Sequence, residues 1–574
     1  MATEAVTAGG AAPDDEVKPY RIHVSSKYLD LTRQKLEVTR LPHELSEPKS
    51  TDWWEPKSQI EPLIDFWLEQ YSWREQEDQL NSQLAQFRTG LTIPSSETTI
   101  RIHFVHIRSP HSNAVPLLLI PPFPFSNLSL GHLVKPLTDP EDAANNQPFH
   151  LVIPSLPGLG FSDAFPNNTA VISATADILA SLMHRLSYPH YLVTNASSGA
   201  ASPAEIDYKL ADYLASQHPS ACLGVHFISP PLRKPKLKEA PIEWVKWSFA
   251  SFFRAPVLGY QSEDFFALKR NGYINAPKKP PAPAQFGLNR LGCADPNTLA
   301  YALCDSPTGF LVSVLKSLRL LGPKKEFTPT EIINFTQLAW LPGPEAAMRF
   351  WAYSLQHPEV VKKPVSRPKV GITVFLGDEP PQSAPEPESG AGTLSASTPL
   401  MPGHVRDCYT CPSWANAKYN VVYTHRAGGK SGLLAWERPE IIVEGVRGLA
   451  QAILKSDPRL RPASPAGVAP LEQVVIHDDT AGTEGTSAPA KPDPALLVPP
   501  QAEEERGQPQ RGVSDETAIG SSETIPGKTW PSSPATPSPG HLAPIADEKA
   551  QPQHEKSEDT PVPQPQPQPD DEKR

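Results

Sequence analysis

The segment from Tyr191 to Gly199 constrains the fold of this chain more than any other part of the sequence. The apolar run from Tyr191 to Val193 enters a turn of small residues, Asn195-Ala-Ser-Ser-Gly199, and a stretch of helical texture follows. Small residues suit such a turn because the backbone is strained there and a bulky Cβ would clash. The pattern therefore predicts a strand–turn–helix unit that holds the side chain of Ser197 above the end of a sheet.

Strand and helix patterns alternate on both sides of this unit. Val115–Ile120 is continuously apolar, as expected of a strand covered on both faces, and Phe149–Pro154 is a further buried strand. Leu223–Ile228 and Val370–Phe375 also read as strands. Further strands are expected at Thr99–Ile107 and Asn420–Thr424, with helices at Ile60–Glu69, Ala174–Leu186 and Ile441–Leu454. This alternation predicts an α/β fold with a mostly parallel, doubly wound sheet. A helical, aromatic stretch from Pro230 to Pro342 interrupts the alternation, which is where a lid would be inserted.

Proline indicates which parts of the chain lie outside the fold. The 574 residues include 69 prolines, more than twice the usual share of about 5%. The first 18 residues, an insert at 379–402 and the tail at 459–574 cannot bury enough apolar surface to offset their chain entropy, so we expect disorder there. An inert tail is the favoured interpretation, and the alternative is that proline-binding modules of other proteins dock on it. The predicted segments are a disordered N-terminus (1–18), an N-terminal region (19–98), the first half of the core (99–229), the helical lid (230–360), the second half of the core with the insert (361–458) and the disordered tail (459–574).

Charge and cysteine content exclude several classes of function. A formal net charge of −11 gives no electrostatic signature of nucleic-acid binding. No apolar run approaches the roughly 18 residues that span a bilayer, and no signal peptide opens the chain, so we expect a cytoplasmic protein without a transmembrane segment. Five cysteines, an odd number, fit a reducing compartment. Cys408-Tyr-Thr-Cys411 has no second pair to complete a zinc site, so two ordinary thiols, no metal and no cofactor are expected.

Several motifs between Pro19 and about Leu454 occur in a distinctive order. They are Thr39-Arg-Leu-Pro42, Tyr71-Ser-Trp-Arg74, Ile102-His-Phe-Val-His106, Pro154-Ser-Leu-Pro-Gly-Leu-Gly-Phe-Ser162, Asp295-Pro-Asn-Thr298 and Met348-Arg-Phe350. Together they resemble the microsomal-type epoxide hydrolases. The resemblance implies an α/β-hydrolase fold with a helical lid, an N-terminal meander and an apolar small-molecule pocket. It also implies the family reaction, which converts an epoxide to a diol.

The resemblance also assigns catalytic positions. In that family an elbow aspartate opens the epoxide to give an ester, and lid tyrosines donate to the departing oxygen. A histidine paired with an acid then activates the water that cleaves the ester. In this chain Ser197 takes the aspartate's place, Tyr273 matches one lid tyrosine, Asp378 (or Glu379) matches the acid, and Lys430 takes the histidine's place.

Two further positions depart from the family pattern. The turn that reads H-G-x-P in the family is Pro121-Pro-Phe-Pro124 here, and the second lid tyrosine falls on Trp351, two residues before Tyr353. A serine that attacked an epoxide carbon would leave an ether, which the family's machinery cannot hydrolyse. Standard epoxide turnover through Ser197 is therefore not expected.

Three hypotheses remain open at the level of sequence. The chain hydrolyses epoxides by an altered route, or it is a serine esterase, or it is a non-catalytic protein that binds a ligand or recruits partners. An esterase would need Lys430 with a strongly lowered pKa, or His425, as the base that activates Ser197. Replacement of nucleophile, base and oxyanion turn together favours the non-catalytic hypothesis.

Overall fold

The computed structural model describes most of the chain up to residue 461. The described residues are 16–44, 57–94, 96, 98–166, 170–198, 205–270, 295–321, 325–359, 361, 366–377 and 409–461. The expected disorder of the N-terminus, the insert and the tail lies outside these residues, apart from a few at the boundaries. At those boundaries Lys18 pairs with Arg88, and Leu460 is buried.

A nine-stranded sheet forms the centre of the fold. The strands are β1 (Lys18–Pro19), β2 (Gln86–Thr92), β3 (Thr99–Ile107), β4 (Val115–Ile120), β5 (Phe149–Pro154), β6 (Tyr191–Asn195), β7 (Cys222–Ile228), β8 (Lys369–Phe375) and β9 (Asn420–Ala427). Their order across the sheet is β1-β2-β3-β5-β4-β6-β7-β8-β9. Pairing is antiparallel from β1 to β5 and parallel from β5 to β9. The prediction of a mostly parallel, doubly wound α/β sheet is therefore confirmed.

Helices cover both faces of the sheet and form the lid. Before the lid lie α1 (Ser26–Glu37), α2 (Lys57–Glu69), α3 (Trp73–Gln83), α4 (Val134–Thr138), α5 (Val171–Arg185) and α6 (Ile206–Gln217). The lid contains α7 (Pro241–Phe253), α8 (Ser262–Arg270), α9 (Pro296–Asp305), α10 (Pro307–Leu320), α11 (Pro329–Trp340) and α12 (Glu345–Gln356), and α13 (Leu434–Glu437) and α14 (Pro439–Ser456) close the fold. The six lid helices of the described residues lie between β7 and β8, where the sequence predicts the interruption.

Two consecutive lid segments are apolar, but neither is long enough by itself to cross a membrane. Within the described residues, each helix taken singly is too short or too polar to cross a bilayer. The consecutive segments Pro296–Asp305 and Pro307–Arg319 satisfy the length and composition requirements only as a pair, and they are bent by 113° where they meet.

The long helix α14 approaches the sheet closely enough to require glycine. A Cβ on Gly445 would lie 2.2 Å from the ring of His226, a side chain of β7. That ring is fully buried, and its two nitrogens lie 3.0 Å from Thr194 Oγ1 and 2.8 Å from Thr373 Oγ1. Burial, with a smaller contribution from the charge of His425, lowers the pKa of His226 to about 3. The histidine thus joins three neighbouring parallel strands through neutral hydrogen bonds.

Candidate functional site

The turn after β6 lies beside the turn after β4 because the two strands are parallel neighbours. Ile120 pairs with Asn195 at their carboxyl ends, and the Ala196 N–H donates to the Ile120 carbonyl at 3.0 Å. Every residue of β6 is buried, and α6 begins at Ile206. The predicted strand–turn–helix order therefore exists, although residues 199–204 lie outside the described part of the chain.

The hydroxyl of Ser197 faces an acid. It donates a hydrogen bond to Oδ2 of Asp207, a fully buried carboxylate in the first turn of α6. Oδ1 of the same carboxylate accepts the backbone N–H of Phe123 at 3.2 Å. Phe123 belongs to the Pro121–Pro124 turn, which stands where the resemblance places the oxyanion turn. Asp207 therefore accepts from the two groups that the resemblance places at the nucleophile and at the oxyanion turn.

Sequence analysis missed Asp207. An acid near the start of a helix is common because it favours the helix dipole, so its position alone carried no signal of function. Only the distance between the start of α6 and the end of β4 makes the carboxylate noteworthy, and that distance is a property of the fold.

The ends of β8 and β9, which precede the predicted acid and base in sequence, lie next to each other. Gly377 and Gly429 exchange two backbone hydrogen bonds, at 2.9 and 3.2 Å. Lys430 follows Gly429 directly, its side chain is exposed, and its carbonyl accepts from Arg438 Nη1 at 3.4 Å. Asp378 follows Gly377 in sequence but lies outside the described residues, as do Glu379 and Tyr273. Their predicted roles, and that of Lys430, stay predictions.

His425 lies within β9, two residues before the carboxyl end of that strand. Its register partner is Thr373 in β8, and its Nε2 is 3.9 Å from Oε2 of Glu444 on α14. The ring is thus directed towards the sheet face that α14 covers. This placement does not favour the hypothesis that His425 serves as a base for Ser197.

A cavity of about 140 Å³ lies between the sheet and the lid. Its walls are almost entirely apolar, and the few polar side chains are serines. The lining residues come from the turns at Phe123–Ser126 and Gly158–Gly160 and from helices α9 to α12. Those on the helices include Leu299, Leu303, Phe310, Phe335, Leu338, Ala347 and Trp351. Ser197, Asp207 and Lys430 are not among the lining residues. The cavity would suit a small apolar molecule better than a charged one.

The glycine-rich turn forms one wall of this cavity and is fitted closely to the lid. Gly158 has a φ of +78°, and a Cβ there would lie 2.9 Å from the Cβ of Ala346 on α12. Trp351, on which the resemblance places the second lid tyrosine, lies on the same helix and lines the cavity. Tyr353 is not among the lining residues, and its ring packs on His357 with centroids 4.2 Å apart.

The described residues contain no group of three or more His, Cys, Asp or Glu side chains that could hold a metal ion. Cys411 is a buried free thiol, and burial raises its pKa well above the ordinary value. Its motif partner Cys408 lies outside the described residues, so the ordinary thiol at that position stays a prediction.

The chain is similar in sequence to epoxide hydrolases. Residues 17–130 match the family described as "Epoxide hydrolase N terminus". A putative epoxide hydrolase of Stigmatella aurantiaca is 28% identical over 57% of this chain and 66% of its own length. Juvenile hormone epoxide hydrolase 1 of Ctenocephalides felis is 27% identical over 53% and 60%. The matches thus span less than two thirds of these two relatives.

A longer match and two solved structures extend the similarity. Epoxide hydrolase 1 of Sus scrofa is 22% identical over 76% of this chain and 89% of its own length. The epoxide hydrolase of Aspergillus niger superposes with a TM-score of 0.54 at 18% identity, covering 76% of this chain and 97% of that one. The juvenile hormone epoxide hydrolase of Bombyx mori gives 0.53 at 21% identity, covering 77% and 95%. Both structures share the α/β-hydrolase fold with this chain.

Proposed function

We propose that this chain, which belongs to the epoxide hydrolase family and has its α/β-hydrolase fold, binds a small apolar molecule beneath its lid and does not hydrolyse epoxides through Ser197. The observation that carries the proposal is the hydrogen bonding of Asp207. Its carboxylate accepts both the Ser197 hydroxyl and the Phe123 N–H. The groups at the nucleophile and oxyanion positions thus donate to the Asp207 carboxylate and not to a substrate.

The chemistry of these groups supports the same conclusion. A serine that opened an epoxide would form an ether, and ether hydrolysis needs more than an activated water. A serine that attacked an ester would need a base, and Ser197 faces a carboxylate rather than the imidazole that commonly activates a serine nucleophile. The Phe123 N–H would also have to leave Asp207 before it could stabilise an oxyanion.

The cavity indicates the class of ligand. Its volume of about 140 Å³ is close to the roughly 150 Å³ of an engineered apolar cavity that binds benzene. Apolar walls offer a compact hydrocarbon or a single aromatic ring favourable contacts, whereas a charged group would lose its hydration without a partner. We therefore propose a ligand of one aromatic ring or a short hydrocarbon chain.

Binding is tested with the full chain and benzene or styrene oxide as probes, followed by ligand-detected NMR. Ala347→Phe puts a ring into the cavity and is expected to abolish binding. Leu355→Phe is the matched control because it adds the same ring to the exposed side of α12, and it should leave binding unchanged. Binding that survives Ala347→Phe would contradict the assignment of the cavity.

The esterase hypothesis is tested on the same protein with a fluorophosphonate probe, which reacts with activated serines. The hydrogen bond from Ser197 to Asp207 predicts no labelling. Labelling that disappears in Ser197→Ala would replace the binding proposal with a serine hydrolase, whatever the NMR result for the cavity.

A further inference from the structure

Helix α7 carries an apolar face that is exposed among the described residues. Ile242, Val245, Phe249, Phe252 and Phe253 recur every three or four residues, so they lie on one side of the helix. All five are exposed, Phe252 to 81% and Phe253 to 58%. The rings of Phe249 and Phe253 also contact each other, with centroids 4.7 Å apart. We call these five residues the α7 apolar face.

The opposite side of α7 is firmly attached to the rest of the molecule. The ring of Trp247 packs edge-on against Trp414 at 5.2 Å and also contacts Tyr260 at 5.5 Å. Ala250 is fully buried, and Glu243 is buried and accepts from Lys246 Nζ at 2.9 Å. The exposure of the apolar face is therefore a property of a helix held in place by its other side. Contiguous exposed apolar surface of this kind marks an interaction site.

Basic residues surround this face in an otherwise acidic chain. Between residues 233 and 254 there are six basic side chains and two acidic ones, whereas the whole chain has a net charge of −11. Arg233, Lys234, Lys236, Lys238 and Arg254 are exposed at the two ends of α7. A surface with exposed phenylalanines and clustered cations is complementary to a lipid bilayer, whose interior is apolar and whose headgroups can be anionic.

We propose that the α7 apolar face binds the surface of a lipid bilayer that contains anionic lipids, with α7 lying in the plane of the interface. The five apolar side chains would enter the boundary between headgroups and acyl chains, and the flanking cations would contact anionic headgroups. None of these residues lines the cavity under the lid. The proposal therefore stands independently of the proposed ligand-binding function.

The experiment is co-sedimentation of the full chain with vesicles of phosphatidylcholine alone or mixed with phosphatidylserine. The wild-type chain should bind the mixed vesicles and release as ionic strength rises. Lys234→Glu/Lys238→Glu should lower the partition coefficient at least roughly 25-fold, since each cation near an anionic surface contributes roughly fivefold. Phe252→Ser/Phe253→Ser should lower it at least roughly tenfold through lost apolar burial.

Matched controls separate the α7 face from the rest of the surface. Lys27→Glu/Lys455→Glu changes the net charge by the same amount away from α7, and Tyr301→Ser removes another exposed ring; both should bind like the wild type. Circular dichroism checks that each variant is folded, which is expected because the altered side chains are exposed.

Three outcomes would overturn the proposal. Wild-type protein that does not sediment with phosphatidylserine vesicles would show that the face does not bind lipid. Equal losses in the two charge-reversal variants would attribute binding to overall charge. A dimer that forms without lipid, and that Phe252→Ser/Phe253→Ser dissociates in analytical ultracentrifugation, would identify a second copy of this chain as the occupant.

Discussion

Restoring the family's aspartate at position 197 should destabilise this protein in a pH-dependent way. Ser197→Asp would place a carboxylate in contact with that of Asp207, which is fully buried and accepts the present hydroxyl. Two carboxylates that share a site cannot both ionise without cost, so the pKa of the pair's second proton rises by about 3. At neutral pH the native state must then take up a proton on this pair, whereas the same carboxyl groups are ionised in the unfolded chain.

The sign and size follow from proton linkage. The unfolded carboxyl has a pKa near 3.9, and a pair value near 7 makes the native state the more protonated one between these limits. The loss of unfolding free energy is therefore small in acid, about 1 kcal/mol at pH 4.5, and grows to about 4 kcal/mol at pH 7.5. Urea denaturation of Ser197→Asp and wild type at the two pH values measures both losses.

Two variants distinguish charge from size. Ser197→Asn has the shape of the aspartate without its charge, and its amide can donate to Asp207, so its loss should be small and nearly equal at both pH values. Ser197→Asp/Asp207→Ser moves the single carboxylate to the other side of the contact and should recover most of the stability at pH 7.5. Equal losses for Ser197→Asp and Ser197→Asn, or a loss that does not depend on pH, would refute the assigned contact.

Three other predictions concern the frame around the site. Burial lowers the pKa of His226 to about 3, so the contribution of its neutral form to stability is fully present above pH 6.5 and is lost in acid. The free energy of unfolding should therefore fall by roughly 4 to 5 kcal/mol from this residue as the pH drops from 6.5 to 3. Urea titrations of His226→Gln should lack this part of the pH dependence, and a pH dependence equal to that of the wild type would contradict the prediction. Gly445→Ala puts a methyl group 2.2 Å from the His226 ring and should cost about 1 to 3 kcal/mol or more by thermal unfolding, while Gly428→Ala, with nothing within 4 Å, should cost far less. Arg426→Met leaves the fully buried Asp264 without its guanidinium partner at 2.7 Å and should lower the free energy of unfolding by about 3 to 5 kcal/mol in urea denaturation. A loss below about 1 kcal/mol would show that the Tyr409 hydroxyl and the Gln261 N–H are enough to stabilise the acid.

The parts of the fold that the sequence predicts best are those with strong apolar patterns. The run from Phe149 to Pro154 is a strand with the predicted bounds, and so is Val115–Ile120. β2 was not predicted because Gln86–Thr92 contains arginine, glycine and three other polar residues and has no periodic apolar pattern. Its conformation follows from antiparallel pairing along the whole length of β3, a contact between segments that local patterns do not encode.

The candidate site was predictable in outline only. Gly377 and Gly429, which follow β8 and β9, meet because parallel neighbouring strands end at the same edge of the sheet. The contact between Ser197 and Asp207 was not predictable, since it depends on where α6 begins relative to the turn after β4. Local sequence indicated a serine on a turn, and tertiary packing determines which group that serine contacts.

The central proposal is that this chain, which is similar in sequence to epoxide hydrolases, binds an apolar ligand without epoxide chemistry at Ser197. The most direct test is diol formation from styrene oxide by the full chain, with Ser197→Ala alongside. The hydrogen bonds that Asp207 accepts from Ser197 and Phe123 predict that both proteins form diol no faster than buffer alone. Diol formation above that background by the wild type, abolished in Ser197→Ala, would contradict the account and identify Ser197 as a working nucleophile.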